Sequence, residues 1–162
     1  KTPEVLSEQV NRMLNDPRSE HFIKSFTDNW LELKHIDFTT PDRKLYPEFD
    51  NILKHSMLKE TRAFLRAMID SDLSVTNVMD SDFAIVNDRL ARHYGIEGSF
   101  SSEMKKVSLK GNEHRGGIIT HGSILKVTAN GTTTSPVVRG VWLLERILGA
   151  HIPPPPDDVP AV

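Results

Sequence analysis

The strongest helix signal in the chain is the stretch Thr134-Ser135-Pro136-Val137-Val138-Arg139-Gly140-Val141-Trp142-Leu143-Leu144-Glu145-Arg146-Ile147-Leu148-Gly149. Ser135 can cap a helix by accepting a hydrogen bond from an early backbone N–H, and Pro136 fits the first turn. Gly149 can end the helix in a left-handed conformation, and the prolines after it prevent continuation. Apolar residues recur at helical spacing on most faces: Val137, Val141, Leu144 and Leu148, with Val138, Trp142, Leu143 and Ile147 beside them. We therefore expect a helix that is buried on most sides and around which the others pack.

The composition is that of a globular protein. The chain has 162 residues, of which 38% are hydrophobic and 26% charged, enough for one domain with a sizeable core. The formal net charge of -2 gives no electrostatic argument for nucleic acid or an anionic membrane as a partner. No apolar run approaches the roughly 20 residues that a membrane-spanning helix needs. Because there is no cysteine, a disulfide, a thiolate metal site and a covalent haem attachment are excluded within the chain.

Two amphipathic helices are predicted in the first 40 residues. Thr2-Pro3-Glu4 is typical of a helix start, and Asp16-Pro17 ends that helix and begins the next. The first helix has apolar residues at helical spacing: Val5, Leu6, Val10, Met13 and Leu14. In the second, the apolar residues form an aromatic stripe that we expect to pack in the core: Phe22, Phe26, Trp30 and Leu33.

The longest predicted helix runs from Pro47 to about Asp70 and has one charged residue on its apolar face. That residue is Glu60, and the other members of the face are Phe49, Leu53, Met57, Phe64 and Met68. A carboxylate at this position is at the edge of the face, or buried and paired with an arginine, or a functional group with a raised pKa. We favour a structural role and keep the functional alternative open.

The remaining predicted elements are short. Ser74 and Asn87 can each cap a short helix, and Gly95 can close the second one. The alternation over Lys106 to Lys110 predicts one strand, and three glycines weaken the prediction of a helix around Ile118 to Leu125. The predicted fold is therefore all-α, an irregular bundle of about five or six helices with at most a short strand pair.

Candidate functional residues are few. The chain lacks a phosphate-binding loop, a Rossmann glycine pattern and a paired-histidine zinc helix, so we predict no cofactor or metal site within it. His121 lies in an apolar, glycine-rich segment. Its imidazole is either half-buried and hydrogen-bonded, with a structural role, or a functional group. Arg139 lies in an apolar helix and either pairs with a carboxylate, for which Glu60, Asp88 and Glu145 are candidates, or contacts an anion such as a cofactor carboxylate. Glu60, His121, Arg139 and Arg115 form a candidate polar cluster for binding or structure, and no catalytic residue is assigned.

Two groups of motifs resemble known modules of unknown function. The first group consists of Phe22 to Leu33, Leu45-Tyr46-Pro47-Glu48-Phe49 and Asn87-Asp88-Arg89-Leu90-Ala91-Arg92-His93-Tyr94-Gly95. The second consists of Arg115 to Leu125, Thr134 to Trp142, and Leu148-Gly149 with the prolines that follow. Nearly the whole chain resembles two consecutive domains of unknown function from planctomycete-type multidomain proteins associated with cytochrome c domains. The corresponding modules are about 1-100 and 104-162, and we expect 1-162 to form one compact unit.

The resemblance implies which domains accompany this chain and where the protein is located, but no mechanism. It implies that haem c is attached in the full-length protein beyond the proline-rich exit, residues 153-162, and that the protein is extracytoplasmic, in the periplasm or cell envelope. We expect the chain to be part of a longer protein, with the exit acting as a stiff spacer or as a strap over the domain. The resemblance implies no catalytic residue.

Three functions follow as hypotheses. In the first, the chain is a non-catalytic module that docks against a downstream haem domain, which predicts an apolar surface near Pro153 to Val162. In the second, it lines the substrate-binding cleft of an oxidoreductase or a polysaccharide-active enzyme, with Glu60, His121 and Arg139 converging there. In the third, it is a protein–protein scaffold that dimerises through an exposed face.

Overall fold

The computed structural model describes residues 2–111 and 114–153, and within them it has six α-helices and one two-stranded sheet. The helices are α1 (Pro3–Leu14), α2 (Ser19–Trp30), α3 (Asn51–Asp70), α4 (Asp88–Tyr94), α5 (Gly122–Val127) and α6 (Pro136–Arg146). The strands are β1 (Phe83–Val86) and β2 (Lys105–Ser108), and short 3-10 turns occupy Leu33–His35, Val75–Val78 and Ile118–Thr120. The prediction of a helical bundle with a short strand pair is confirmed. The proline-rich exit, and with it the apolar surface predicted near Pro153 to Val162, lies outside the described residues from residue 154 on.

Helix α3 lies at the centre of the fold. The Asp50 side chain caps it by accepting a hydrogen bond from Leu53 N at 2.6 Å. The predicted stripe is buried and includes the carboxylate: Leu53, Met57, Glu60, Phe64 and Met68. This face packs against α2, α4, α5 and β1, and the Phe64 ring stacks on Phe83 with centroids 5.0 Å apart.

The sheet divides the core into two clusters. Strand β1 pairs antiparallel with β2, with Phe83 opposite Ser108 and Val86 opposite Lys105. All four residues of β1 are buried, and alternate residues contact different clusters, as the two-residue period of a strand requires. Phe83 and Ile85 pack with Phe64, whereas Ala84 and Val86 pack with Leu53 and α4.

The expectation that α6 is buried on most sides, with the other helices around it, is wrong. Trp142 is its one buried residue, and Val137 is 76% exposed. Four apolar side chains face solvent on the opposite side, three of them in the helix and one two residues past its end, and form what we call the outer face of α6: Val137, Val141, Leu144 and Leu148. The reason is that helical spacing identifies a face, whereas burial also requires a neighbouring element to cover that face.

The ends of α6 partly follow the prediction. Ser135 accepts a hydrogen bond from Val138 N, and the helix begins at Pro136 as expected. The α-helix ends at Arg146, before Gly149, which does adopt a left-handed conformation (φ 65°). Trp30 Nε1 donates to Arg146 O at 2.7 Å, and the Arg146 guanidinium pairs with Glu32, so the C-terminal ends of α2 and α6 are joined.

The prediction that the aromatic stripe beginning in α2 packs in the core is confirmed for Trp30 and Leu33 and wrong for Phe22 and Phe26. Phe22 and Phe26 are 51% and 41% exposed, and Phe26 stacks in a tilted geometry on Trp30, with centroids 5.2 Å apart. The neighbouring positions Ile23 and Thr27 are buried instead, because the helix is rotated by about one residue from the expected orientation. The apolar stripe of α1 is likewise uncovered, since no residue of that helix is buried.

A close backbone contact holds the segment before α5 in place. Gly117 has φ 66°, and a Cβ added there would lie 2.5 Å from backbone atoms of Val78 and Met79. Only glycine fits such a position without displacing the backbone. The contact fixes Arg115 and His121, which lie on either side of this glycine, relative to the end of the Val75–Val78 turn.

Candidate functional site

A buried polar cluster lies where α3, α4 and α5 meet. Glu60 is 1% exposed, and Tyr94, the last residue of α4, donates its hydroxyl to Glu60 Oε2 at 2.6 Å. The same hydroxyl accepts a hydrogen bond from Gly122 N, the first residue of α5, at 2.7 Å. Tyr94 therefore connects three helices through one oxygen atom, and both of its partners are buried.

Arg115 covers this cluster from one side. Its guanidinium carbon lies 3.5 Å from the centroid of the Tyr94 ring, which is a cation–π geometry, and Nη1 donates to Thr120 O at 3.1 Å. Its positive charge favours the ionised form of Glu60, but no ion pair joins the two side chains in the part of the chain that the structure describes.

His121 is fully buried, not half-buried as the sequence suggested. Its Nδ1 is 3.0 Å from Thr61 Oγ1, which in turn is 2.7 Å from Ser123 Oγ, and its ring meets Phe64 edge-on. The serine thus hydrogen-bonds to the threonine and has no direct bond to the imidazole. Because Ser123 has no exposed surface, these residues do not form an accessible nucleophile–base pair.

Burial changes the ionisation of the cluster. Loss of hydration raises the pKa of Glu60 to about 8, against the opposing effects of the Tyr94 hydrogen bond, the Arg115 charge and the Gly122 N–H. Burial, reinforced by the charge of Arg115, lowers the pKa of His121 to about 3. At neutral pH both side chains are therefore mainly uncharged. The cavity that they line has a volume of ≈ 10 Å³, which is close to the space for one water and excludes an organic substrate.

Two larger cavities lie beside the cluster, each with a volume of ≈ 310 Å³. We call the first the aromatic pocket, because its lining includes Tyr46, Phe49 and Tyr94. We call the second the indole pocket, because its lining includes Trp142 and Ile119. Three residues line both of them: Arg115, Leu125 and Arg139.

Arg139 has hydroxyl partners rather than a carboxylate partner. Its Nε donates to Thr128 Oγ1 at 3.2 Å and its Nη2 donates to Thr134 Oγ1 at 2.7 Å. Within residues 2–111 and 114–153 it forms no ion pair, so the expected pairing with Glu60, Asp88 or Glu145 is not found there. The alternative, contact with an anion, is compatible with a half-buried guanidinium at the edge of two cavities.

The candidate cluster of four residues therefore divides into two sites. Glu60, His121 and Arg115 line the small cavity, and Arg115 and Arg139 line both larger ones. Glu60 and Arg139 line no common cavity in the described part of the chain. Arg115 is the residue that joins the two sites.

Sequence reasoning missed Tyr94, Thr61 and Lys126 here. Tyr94 gave a weak signal as the residue before the helix-closing Gly95. Lys126 gave none, since it lies in a short helix and is buried, with Nζ donating to Ile36 O at 2.8 Å and to Thr39 O at 2.5 Å. Burial lowers the pKa of Lys126.

Two further properties concern metals and membranes. Among the described residues, no group of three or more histidine, aspartate or glutamate side chains is arranged to hold a metal ion. No helix in the same residues has the length and apolar character to cross a bilayer.

Two family models match the chain. One is described as a protein of unknown function (DUF1592), with the short name PSD4, and matches residues 1–96. The other is described as a protein of unknown function (DUF1588), with the short name PSCyt3, and matches residues 115–162. The second short name indicates an association with cytochromes. Neither a curated protein nor a solved structure matches the chain.

Proposed function

The chain belongs to the DUF1592 family of proteins of unknown function, and from this membership and the DUF1588 match that follows it we propose a docking role. In this proposal the chain is a non-catalytic module of a multidomain, extracytoplasmic c-type cytochrome-like protein. The outer face of α6 packs against the haem domain of the same polypeptide. The extracytoplasmic location belongs to the proposal because c-type haem is attached on that side of the membrane.

The observation that supports docking is the outer face of α6. Val137, Val141 and Leu144 lie on one side of the helix, Leu148 follows its end, and each of the four side chains is at least 37% exposed. The opposite side is already occupied, because Trp142, Leu143 and Ile147 pack against the core. An apolar stripe that the domain's own core does not cover is typical of a surface that binds another protein surface.

Two features favour a haem domain in the same polypeptide as the partner. The cytochrome-associated family matches the segment that contains α6. A partner linked to α6 by a short peptide also has a high effective concentration, so a small apolar contact is enough for docking. Because the chain has no cysteine, a covalently attached haem would belong to another part of the protein.

The test compares two single substitutions in the intact protein that the gene encodes. Leu144→Glu places a charge on the outer face of α6, and Ile52→Glu places one on an exposed site of α3 (67% exposed) as the matched control. We expect Leu144→Glu, and not the control, to change the haem reduction potential and to increase hydrogen exchange in α6. Deletion of residues 1–162 should change the potential in the same direction.

Other outcomes would identify a different role. Docking to the haem domain is refuted if the protein contains haem and all variants have the same reduction potential and the same hydrogen exchange in α6. A concentration-dependent dimer in light scattering, abolished by Leu144→Glu, would favour the scaffold hypothesis instead. A protein without haem would refute the cytochrome part of the proposal.

One observation favours a second candidate function, in which the module lines the substrate-binding cleft of an oxidoreductase or a polysaccharide-active enzyme. Arg115 and Arg139 line two cavities of ≈ 310 Å³ each, which is the lower end of the usual size for a small-molecule site. A cleft in which Glu60, His121 and Arg139 converge is not supported, because Glu60 and His121 line a different cavity from Arg139. Any such cleft would use the two arginines.

A further inference from the structure

We propose that Arg115 and Arg139 bind the carboxylate or phosphate group of a small ligand whose body occupies the aromatic pocket. This inference is independent of the docking proposal, because it concerns a cavity between α4, α5 and α6 and not the outer face of α6. It rests on an excess of hydrogen-bond donors, on the fixed position of the two guanidinium groups, and on the charge and size of the pocket.

Among the described residues, the two arginines have acceptors for only some of their N–H groups. A guanidinium has five N–H groups, and the described partners of Arg139 use two of them, Nε and one at Nη2. Arg115 uses one, at Nη1. The indole Nε1 of Trp142, which lines the neighbouring indole pocket, is buried and has no hydrogen-bond partner among the described residues. A ligand that satisfies such a site must supply acceptors, and an oxyanion supplies the most for its size.

Both guanidinium groups are held in place before any ligand arrives. Arg115 is stacked on the Tyr94 ring, and the Tyr94 hydroxyl is itself fixed by Glu60 and Gly122 N. Arg139 is held between Thr128 and Thr134. Side chains that are already ordered lose little conformational entropy on binding, which favours a bidentate contact with an anion.

The charge of the aromatic pocket favours an anion. Arg115, Arg139 and Lys126 line it together with one described carboxylate, Glu48. The donors of Lys126 are used by Ile36 and Thr39, so Lys126 contributes charge but no hydrogen bond to a ligand. Burial raises the pKa of the neighbouring Glu60 and so favours its neutral form, which leaves the charge of Arg115 available to a ligand.

The size and walls of the aromatic pocket indicate a ligand larger than a bare ion. A volume of ≈ 310 Å³ is about ten times the roughly 30 Å³ that a water molecule occupies in the liquid. Tyr46, Phe49 and Met57 provide apolar walls that a ring can pack against. A sugar acid or a sugar phosphate has this combination of an oxyanion and a ring.

The experiment is an NMR titration of the isotope-labelled 162-residue chain. The probes are D-glucuronate, D-glucose 6-phosphate, inorganic phosphate and the neutral D-glucose. We expect glucuronate or glucose 6-phosphate to bind saturably and to shift the Nε–H signals of Arg115 and Arg139. Glucose should leave these signals unchanged, and the tighter of the two anions identifies whether a carboxylate or a phosphate is preferred.

Substitutions decide whether the arginine pair is responsible. Arg139→Gln should weaken binding of the better anion by about 10-fold or more, since charge-assisted hydrogen bonds are lost. The matched control Arg43→Gln, at an exposed site outside the pocket, should change the affinity for the same anion by less than about 2-fold. Arg139→Lys keeps the charge and loses the planar fork, so it tests the same point if Arg139→Gln does not fold.

Three results would overturn the proposal. One is the absence of saturable binding by either sugar anion. Another is an affinity that Arg139→Gln and Arg139→Lys leave unchanged. The third is inorganic phosphate binding as tightly as the sugar anions, which would show that the aromatic pocket contributes nothing and that the site binds an adventitious ion only.

Discussion

Helices α3 and α6 have apolar positions at the same spacing, yet one stripe is buried and the other exposed. The α3 stripe is Leu53, Met57, Glu60 and Phe64, and the α6 stripe is Val137, Val141, Leu144 and Leu148. In both, the intervals are four, three and four residues. The exposed stripe is entirely apolar, whereas the buried one contains a carboxylate. Hydrophobic content therefore does not decide which stripe is covered.

The elements packed around each helix determine whether its apolar stripe is buried. Helix α3 is surrounded by α2, α4, α5 and β1, so its stripe has partners along its whole length. Helix α6 contacts the core through the opposite side, where Trp142, Leu143 and Ile147 pack. The comparison teaches that a helix pattern reports which residues share a face, and that the tertiary neighbours determine which face is buried.

The largest expected effect comes from making the same substitution in both stripes. Leu53→Ala should lower the free energy of unfolding by about 2–5 kcal/mol, because Leu53 is completely buried. Leu144→Ala should lower it by less than about 1 kcal/mol, since Leu144 is 41% exposed. Urea denaturation of the two variants measures the difference. Equal losses would show that the outer face of α6 is packed in solution, which would invalidate the comparison.

The second prediction uses the carboxylate that only the α3 stripe contains. The pKa of Glu60 is about 8 in the folded chain against a reference of 4.5, so between these values the folded state holds a proton that the unfolded state has released. The Glu60 contribution to stability is therefore complete below pH 4.5 and is lost as the pH rises to about 8. The stability difference between the wild type and Glu60→Gln should fall by about 1.4 kcal/mol per pH unit between roughly pH 5 and 7.5. Denaturation curves at several pH values measure it.

His121 provides the opposite pH dependence as a control. Its pKa is about 3 in the folded chain against 6.5, so the unfolded state binds the extra proton between these values. The His121 contribution is complete above pH 6.5 and is lost as the pH falls to about 3. His121→Asn should reduce the acid-side loss of stability and leave the alkaline side unchanged. A Glu60→Gln variant with the wild-type profile on the alkaline side would contradict the raised pKa.

The third prediction tests the residue that connects α3 to its neighbours. Tyr94→Phe should lower the free energy of unfolding by about 1–3 kcal/mol, because buried Glu60 and Gly122 N–H both lose a partner. It should also raise the pKa of Glu60 further, which ¹³C NMR of the carboxyl group measures. Tyr46→Phe is the control. Its hydroxyl donates to Thr132 O on the surface, so we expect a loss below about 0.5 kcal/mol. An unchanged Glu60 pKa in Tyr94→Phe would argue against the Tyr94 contact.

The smallest effect is expected at the start of α6. Ser135→Ala removes the cap on Val138 N and should cost about 1 kcal/mol or less. Because α6 is covered on one side only, this loss should increase amide exchange within α6 and leave α3 amides unaffected. Native-state hydrogen exchange measures both helices together. An equal increase in α3 would mean that the two helices open as one unit.

The parts of the fold that depend on short-range interactions could be predicted from the sequence. The side chains of Ser135 and Asn87 cap α6 and α4, and Gly95, which has no side chain, closes α4 in a left-handed conformation. The central stripe of α3 was also predictable. Strand β1 was not identified, since a four-residue apolar run has no measurable period and its partner β2 lies about 20 residues further along. The expected unity of residues 1–162 stays a prediction.

Individual residues of the candidate site could be predicted from the sequence, but the contacts between them could not. Glu60 was noticeable as a charge on an apolar stripe, and His121 as an imidazole in an apolar segment. Their partners, Tyr94 and Thr61, depend on how α4 and α5 pack against α3, which no local pattern encodes. The contact between Arg139 and Thr128 likewise depends on tertiary packing, whereas Thr134 lies only five residues before Arg139 in the sequence.

The hydrogen bond between Trp30 Nε1 and Arg146 O also determines what intrinsic fluorescence can report. The chain has two tryptophans, Trp30 at this bond and Trp142 on the buried side of α6, and α3 has none. The emission spectrum therefore reports the junction between the end of α2 and α6, whereas far-ultraviolet circular dichroism reports all the helices, of which α3 is the longest. A shift between the two melting curves would show, without any label or substitution, that this junction opens before the rest of the molecule unfolds.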